Sequence, residues 1–309
     1  MASAPMSSSP TVKAFTEAFS RVTPADPNWD TFTARGGILS LADACANEGC
    51  IAPSREAYRA LLARFPLCYG FWKKWASQEW LQTVPLVDGR VPQPDRAAGL
   101  AASVAVWEAG TLAASHCVEH WVNYSDFLVA QCSQEPLRIR GVLLRGVACC
   151  TLDPKASALW EHLLRLEAAL GSSSSSSSSA GGGLGGLFAR VLASGAPYVP
   201  LMWTKFKATA ATLPPLQLLA EGELQGSSSD AALAQLAAAA GQQGASEESS
   251  QALRAAIVAR REAAVRASLL ECEARSALEA SAAKRPYFHV KTLDASLLQV
   301  RGLGGEGRD

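Results

Sequence analysis

Charge of either sign is scarce in this sequence. Lysine, arginine, aspartate and glutamate make up only 18% of the 309 residues, and 28 basic residues balance 28 acidic ones. Affinity for nucleic acid comes mainly from neutralising phosphates, so a neutral chain argues against a large phosphate-tracking surface. Protein partners are therefore favoured, and we expect any contact with RNA to be indirect or weak.

Long apolar runs, a signal peptide and paired cysteines are also missing. No stretch of 18 apolar residues occurs, so no membrane span and no membrane partner are expected. Residues 1–12 have no apolar core and are predicted to be a disordered tail rather than a signal peptide. The eight cysteines form no C-x-x-C pair, and without a secretory signal they are typical of small buried hydrophobic side chains kept reduced.

Catalytic groups are few. Of the four histidines, only His116 and His120, with Glu119, fit a known pattern, H-x-x-E-H, in which two histidines one helical turn apart bind zinc. Such a site needs a third ligand and a water-binding cleft, whereas this motif opens a repeat helix whose next residue is Trp121. We therefore expect partly exposed helix histidines and keep a zinc hydrolase as the alternative from another functional class. No Gly-Lys-Ser/Thr follows the glycines at 181–186, which excludes a phosphate loop. The sequence thus predicts a non-enzymatic protein with no metal or cofactor.

Tryptophan, in contrast, recurs at an even spacing. A tryptophan followed three residues later by a bulky residue occurs five times, at intervals of 43, 49, 39 and 43 residues. On a helix, positions i, i+3 and i+7 share one face, so each motif predicts an apolar stripe, in two cases with glutamate at i+7. The predicted repeat-defining core comprises Trp29, Phe32, Trp72, Trp75, Glu79, Trp121, Tyr124, Trp160, Leu163, Glu167, Trp203 and Phe206.

A second helical pattern lies between the tryptophan motifs. Residues 55–62 and 140–147 begin with arginine and carry apolar residues at helical spacing, and residues 187–192 resemble them. Periods of about 40 residues are typical of stacked helical hairpins, in which no unit can bury its apolar face alone. Chance spacing in an alanine-rich helical protein is the alternative, and five units sharing the bulky +3 position argue against it. The prediction is an all-α superhelical solenoid.

The predicted organisation has five parts: a tail at 1–12, five hairpin repeats at 13–207, a low-complexity loop at 208–250, a long helix with a following segment at 251–298, and a glycine-rich tail at 299–309. A Ser/Gly insert at 171–186 interrupts the fourth repeat and is expected to be a flexible linker. In the second repeat, Leu100, Val104 and Trp107 are expected to share the buried face. The arginines of the long helix alternate with glutamates, which predicts a solvated mixed-charge face.

The repeat pattern resembles the half-a-TPR (HAT) repeat, a helical-hairpin repeat of RNA-processing proteins. Residues 67–75 (LCYGFWKKW) and 284–291 (KRPYFHVK) are similar, in the same order, to two segments of the pre-mRNA-processing factor 39 family. The resemblance covers about residues 16–298. Its second segment contains the candidate site residues Lys284, Arg285, Pro286, Tyr287, Phe288 and His289. We favour fastening onto a neighbouring repeat for this segment over a basic–aromatic contact with RNA or protein, because its apolar residues are prominent.

The resemblance implies a nuclear, non-enzymatic HAT scaffold in pre-mRNA splicing. It implies association with proteins of the U1 small nuclear ribonucleoprotein, in 5′ splice-site recognition and early spliceosome assembly. It also implies a homodimer or a heterodimer with a sister protein, largely through C-terminal repeats. We expect those repeats to be missing here, because the resemblance stops after Leu298 and the chain looks like the N-terminal half of a longer protein or a truncated product. Another HAT scaffold, the large cleavage-stimulation subunit of mRNA 3′-end processing, is the alternative; residues 284–291 argue against it.

Overall fold

The described parts of the structure, a computed structural model, consist of helices and their connections. They are residues 9–22, 29–81, 96–173, 183–220, 222–223, 231–242 and 246–281. No strand occurs within these ranges, so the predicted all-α class is confirmed. The described residues fall into two compact units, divided between residues 133 and 134.

The first unit contains seven described helices. They are α1 (Pro10–Ser20), α2 (Trp29–Thr33), α3 (Ile38–Asn47), α4 (Ala52–Arg64), α5 (Tyr69–Leu81), α6 (Arg96–Ala113) and α7 (Val118–Gln131). From α2 onward each helix packs against the next one in the sequence, and α5 also contacts α7. Sequential packing of this kind is typical of stacked hairpins.

The second unit contains six further described helices. They are α8 (Pro136–Cys149), α9 (Ser157–Ser173), α10 (Gly183–Leu192), α11 (Val199–Thr212), α12 (Ala231–Ala240) and α13 (Glu247–Ser281), with 3-10 turns at Pro154–Ala156 and Pro215–Leu218. Here α8 packs on α9, α9 on α10, and α10 on α11, while α13 covers α10, α11 and α12. None of the described helices in either unit combines the length and apolar character needed to cross a membrane.

Proline and cap residues set several helix starts. Proline occupies the first turn of α1, α4, α8 and α11, where its missing N–H costs no hydrogen bond. Ser9 caps α1 by accepting from the Thr11 N–H, and Asp153 accepts from the Lys155 N–H at 2.8 Å before α9. Gly36, at φ 77°, lies between α2 and α3. The Gly36-Gly37 pair therefore interrupts the first tryptophan helix, as its low helix propensity predicts.

The buried face of α6 differs from the predicted one. Leu100 and Val104 are only half-buried, while Gly99, Ser103, Val106, Trp107 and Gly110 form the buried stripe. Because small residues let neighbouring backbones approach closely, this face packs through glycine and serine as well as through the indole. The Ser103 hydroxyl donates to the Ala76 carbonyl at 2.8 Å, which satisfies that buried group.

The structure also changes the predicted limits of two low-complexity segments, the N-terminal tail and the Ser/Gly insert. Helix α1 begins at Pro10, so residues 10–12 are not part of a disordered tail. The predicted linker at 171–186 is helical at both described ends, since α9 runs to Ser173 and α10 starts at Gly183. Gly185 and Gly186 are buried in α10. The middle of the insert, residues 174–182, and the glycine-rich segment 299–309 lie outside the described residues.

The segment at 208–250, which we expect to be a low-complexity loop with fragments of helix after residue 216, contains ordered helix. Helix α11 continues to Thr212, a 3-10 turn follows, and α12 buries Leu233 and Ala237. Its alanine-rich composition suits a helix as well as a loop, because alanine has the highest helix propensity.

The predicted long helix is confirmed as α13, but its charged residues do not all lie on a solvated face. It begins at Glu247, and Leu253, Ile257 and Val265 are buried, whereas Leu269, Leu270 and Leu278 are exposed. Arg261 was expected in solvent but is only 3% exposed. Its guanidinium donates to both carboxylate oxygens of Glu223, at 2.6 and 2.7 Å. Burial alone would raise the Glu223 pKa, but these bonds and nearby charge hold that pKa below its usual value.

Candidate functional site

Helix α5 carries the motif around which the first unit is packed. Its buried residues are Trp72, Trp75, Ala76 and Glu79, which lie at i, i+3, i+4 and i+7. The Trp72 indole N–H donates to the Pro66 carbonyl oxygen at 2.8 Å. The indole thus fastens the α4–α5 connection to the helix that follows it and satisfies a carbonyl of the turn.

The same contact recurs at the next repeat helix. In α7 the Trp121 indole N–H donates to the carbonyl oxygen of Ser115, six residues earlier, at 2.7 Å. Trp160 in α9 uses a variant of it: its N–H donates to the Tyr198 hydroxyl at 3.0 Å, and that hydroxyl donates to the Thr151 carbonyl. All three indoles are at most 8% exposed. Their shared role is to tie the turn before a helix to the helix itself.

The first and last tryptophans of the series are less buried. Trp29 is half-buried and makes edge contacts with the rings of Phe65 and Phe71, with centroids 5.2 and 5.7 Å away. Trp203 is also half-buried and stacks on Phe206, and the Lys207 ammonium lies 5.6 Å from its ring centroid. The five motifs therefore share helix placement but not one environment.

The bulky +3 residues pack on aromatic partners in the preceding helix. Trp75 stacks on Tyr58 with centroids 6.2 Å apart, and Tyr124 stacks on Trp107 at 5.6 Å. Phe206 meets Phe188 edge to face at 5.3 Å. Offset and edge contacts of this kind stabilise beyond the area that they bury. Sequence reasoning missed Tyr58 and Phe188 as partners, although each pair is separated by a nearly constant 17 or 18 residues.

The remaining +3 residues, Phe32 and Leu163, are also buried. Phe32 is fully buried, and its ring meets Phe19 edge to face at 6.4 Å. Leu163 is fully buried in α9. All twelve repeat-defining residues therefore lie on described helices, and all but Trp29 and Trp203 are buried.

The two +7 glutamates accept from arginines near the start of the preceding helices, α4 and α8. Arg55 of α4 donates to both carboxylate oxygens of Glu79, at 2.8 and 2.7 Å, and the Trp75 indole N–H donates to the same carboxylate at 2.9 Å. Arg140 of α8 donates through Nε to Glu167 of α9. The recurring arginine and the recurring glutamate, separate patterns in the sequence, are the two halves of one interhelical ion pair.

The outer side of α5 is held by polar contacts. The Lys74 ammonium pairs with Asp43 of α3, which also accepts from the Tyr58 hydroxyl at 3.1 Å. Burial and the Asp43 charge raise the Tyr58 pKa, so this hydroxyl stays protonated. Lys73 donates to the Asn123 side-chain oxygen of α7 at 2.7 Å. This surface is polar and fixed in position, which suits recognition by a protein more than chemistry.

Most of the cysteines are buried, as predicted from the sequence. Five are buried, and Cys50, Cys149 and Cys272 are half-buried. Burial raises the pKa of both Cys68 and Cys117 to about 12. Since the thiolate is the nucleophile and the metal ligand, these two neutral thiols are inert at neutral pH. No group of three His, Cys, Asp or Glu side chains in the described part of the chain could hold a metal ion.

The H-x-x-E-H histidines have different environments. His116 is exposed and precedes α7, while His120 is fully buried, against the prediction that both are partly exposed. The His120 Nε2–H donates to the Trp107 carbonyl at 3.1 Å, and the two rings lie 5.2 Å apart. The His120 ring has room because Gly110 lacks a side chain: a Cβ at that position would overlap the ring. His120 therefore contributes to the packing of α6 against α7, and not to a metal site shared with His116.

Acidification is expected to destabilise this packing. Burial lowers the His120 pKa, despite the Trp107 hydrogen bond and the Glu108 charge, which act in the opposite direction. Below about pH 6.5 the unfolded chain takes up a proton that the folded chain resists, so stability present above that pH is lost as the pH falls. We expect a slope of up to about 1.4 kcal/mol per pH unit in the free energy of unfolding, measured by urea denaturation from pH 7.5 to 5.

Two variants isolate the contribution of His120. His120→Gln keeps a side chain that can donate to the Trp107 carbonyl but does not titrate, and it is expected to flatten the slope. His116→Gln, at an exposed site, is expected to leave the slope unchanged. An equal effect of both substitutions would show that burial of His120 is not the cause.

The second family segment lies outside the described residues. Lys284, Arg285, Pro286, Tyr287, Phe288 and His289 all fall in 282–309, so their proposed fastening role remains a prediction.

The comparisons with known proteins agree with this geometry. The sequence model of a family described as PRP39 N-terminal HAT repeat matches residues 27–208, the range that contains all five tryptophan motifs. Pre-mRNA-processing factor 39 of Danio rerio is 24% identical over 285 residues, 85% of this chain and 35% of its own length. The Xenopus laevis protein of the same name is 24% identical over 164 residues, covering 52% and 22%.

A fungal protein is also similar. Pre-mRNA-processing factor 39 of Schizosaccharomyces pombe is 25% identical over 147 residues, 45% of this chain and 21% of its own length. The matches thus span about a fifth to a third of the relatives. Together with the recurring indole and aromatic contacts, the match over more than half of the sequence shows that the chain belongs to the PRP39 N-terminal HAT repeat family.

Proposed function

We propose that this chain is a non-catalytic HAT-repeat scaffold that works in pre-mRNA splicing in the nucleus. The observation that carries the proposal is the family match over residues 27–208, whose relatives are named pre-mRNA-processing factors. The described repeats support it, because their aromatic and ionic groups are engaged in holding helices together. What they present outward is a fixed polar helix surface such as that of α5.

The finer part of the proposal concerns the partner. We propose that the chain associates with proteins of the U1 small nuclear ribonucleoprotein and supports 5′ splice-site recognition in early spliceosome assembly. The balance of 28 basic and 28 acidic residues favours contact through protein over contact through RNA phosphates.

Affinity purification of the tagged chain from nuclear extract tests this proposal. The expected result is enrichment of U1 RNA together with U1 core proteins. Ribonuclease treatment of the extract is expected to remove the RNA and leave the proteins bound, because the contact is through protein. Enrichment of 3′-end cleavage subunits instead of U1 components would overturn the splicing assignment in favour of the other class of HAT scaffold.

A folding-defective variant supplies the matched control. Leu61 and Leu143 are at most 1% exposed, one in each unit, so Leu61→Asp/Leu143→Asp places an unpaired charge in both cores. This variant is expected to lose U1 recovery. Equal recovery by the variant and the native chain would show adhesion of unfolded protein and contradict the proposal.

A further inference from the structure

An open pocket of about 340 Å³ lies in the second unit, where α9, α10 and α11 meet. A volume near the lower end of ligand-pocket sizes has room for one or two amino-acid side chains. It is lined by Leu164, Arg165, Ala168, Leu184, Phe188, Lys205, Ala208 and Thr209. None of the twelve repeat-defining residues lines this pocket, although Phe188, the packing partner of Phe206, forms part of its wall.

The pocket has an apolar floor and a cationic rim. Leu164 and Phe188 are 8% and 2% exposed and form buried parts of its wall, and Ala168 and Ala208 leave space because their side chains are short. Arg165, on the pocket rim, is exposed. A guanidinium beside an apolar cavity is suited to a carboxylate next to an apolar side chain.

The charges on the three helices favour an acidic occupant. The described residues of α9, α10 and α11 carry four cations, Arg165, Arg190, Lys205 and Lys207, against two carboxylates, Glu161 and Glu167. Glu167 is 4% exposed and bonded to Arg140, so it offers little charge to solvent. Among these three helices Glu161 is the remaining carboxylate, and it pairs with Lys205 at 3.4 Å. Arg165 and Lys205 are the two charged residues in the pocket lining, and both are basic, so the pocket itself carries positive charge.

We propose that this pocket binds an acidic peptide segment of a partner protein. One apolar side chain of the peptide enters the pocket, and flanking Asp or Glu side chains pair with Arg165 and Lys205. The inference rests on the proposed scaffold function and adds to it the chemistry of one docking site. Electrostatic complementarity would select the acidic peptide, and the apolar contact would fix its register.

The pocket is better suited to peptide than to single-stranded RNA. Base recognition without sequence preference uses exposed aromatic faces on which bases stack. Phe188 is the one aromatic side chain among the lining residues, and it is 2% exposed. The rings of Trp160 and Trp203 face Arg190 and Lys207, with centroid distances of 5.8 and 5.6 Å.

Fluorescence anisotropy with the full chain tests the site directly. The probe is a labelled peptide of Asp and Glu residues around a central Leu-Trp pair. Comparison peptides replace Leu-Trp by Ser-Ser, or replace every acid by lysine. We expect saturable binding of the first peptide, at least about tenfold weaker binding of the serine peptide, and no binding of the lysine peptide.

Matched variants separate the pocket from general attraction. Arg165→Ala/Lys205→Ala is expected to weaken binding about tenfold or more. Arg190→Ala/Lys207→Ala removes the same amount of charge from the same group of helices outside the pocket lining and is expected to change affinity less than about threefold. Ala208→Trp, at an exposed position that lines the pocket, is expected to abolish the advantage of Leu-Trp over Ser-Ser. Circular dichroism checks that each variant remains helical.

Three results would overturn the proposal. They are equal losses in the two double-alanine variants, equal affinity for the Leu-Trp and Ser-Ser peptides, and stronger displacement by polyuridine than by unlabelled peptide. The assay uses purified chain and synthetic probes, whereas the splicing proposal is tested in nuclear extract. Failure of one is therefore distinguishable from failure of the other.

Discussion

Replacing Glu167 by alanine is expected to lower the free energy of unfolding by about 3–5 kcal/mol. Glu167 and Arg140 are 4% and 7% exposed, so water reaches neither charge freely. The substitution removes the carboxylate to which the Arg140 Nε–H donates and leaves a desolvated guanidinium in α8. Breaking a buried pair from one side is costly, because the remaining charge cannot regain its hydration. Urea denaturation of the full chain, followed by helical circular dichroism, measures the loss.

Two comparisons make this prediction specific. Glu262→Ala removes a surface pair in which Arg266 and Glu262 are 67% and 51% exposed, and it is expected to change stability by less than about 1 kcal/mol. Arg140→Met/Glu167→Leu replaces both charges by apolar groups and is expected to recover most of the lost stability. A similar loss for Glu167→Ala and Glu262→Ala would show that the pair does not stabilise the α8–α9 hairpin.

Local spacing was enough to predict the repeat helices. The tryptophan helices α5, α7, α9 and α11 follow from residues three and seven positions apart, because helical periodicity alone places such residues on one face. Glycine and proline signals of the same local kind mark the break at Gly36-Gly37 and the start of α9 after Asp153. These features depend on near neighbours in the sequence, and that is why they are visible without the fold.

The partners across helices could not be predicted in the same way. The contact between Arg140 and Glu167 joins two helices, and its existence depends on how α8 and α9 cross. The stripe on α6 was missed because hydrophobicity identifies Leu100 and Val104, while close packing selected Gly99, Ser103 and Gly110. Burial of Arg261 was missed because its partner Glu223 lies in a glycine-bearing connection, far from it in the sequence.

Predictions from composition were wrong mainly where a residue type is compatible with both a helix and a flexible linker. The tract at 171–186 was assigned entirely to a flexible linker, because Ser/Gly segments resist packing. Gly185 and Gly186 are nevertheless buried in α10. A glycine in a helix costs about 1 kcal/mol relative to alanine, and that cost is tolerated where a neighbouring backbone needs the space.

Gly185→Ala is therefore expected to destabilise the second unit by about 2–3 kcal/mol. A Cβ at Gly185 would overlap the backbone carbonyls of Leu218 and Leu219, at the end of the 3-10 turn that packs on α10. Backbone atoms cannot rotate away as the end of a long side chain can, so the turn must shift. That shift loosens the contact of α10 with Leu218, which is fully buried. Thermal and urea unfolding of the full chain, at one protein concentration, measure the change.

Gly141→Ala is the matched control, because it makes the same substitution in a helix with a different outcome. Gly141 is exposed in α8, and a Cβ there meets no atom within 4 Å. The higher helix propensity of alanine is then unopposed, and stability is expected to rise by about 0.5–1 kcal/mol. Opposite signs for the two substitutions would identify the close approach of the Leu218–Leu219 backbone as the reason for glycine at position 185. A stabilising Gly185→Ala would show that α10 does not require this approach, and would restore linker composition as the explanation.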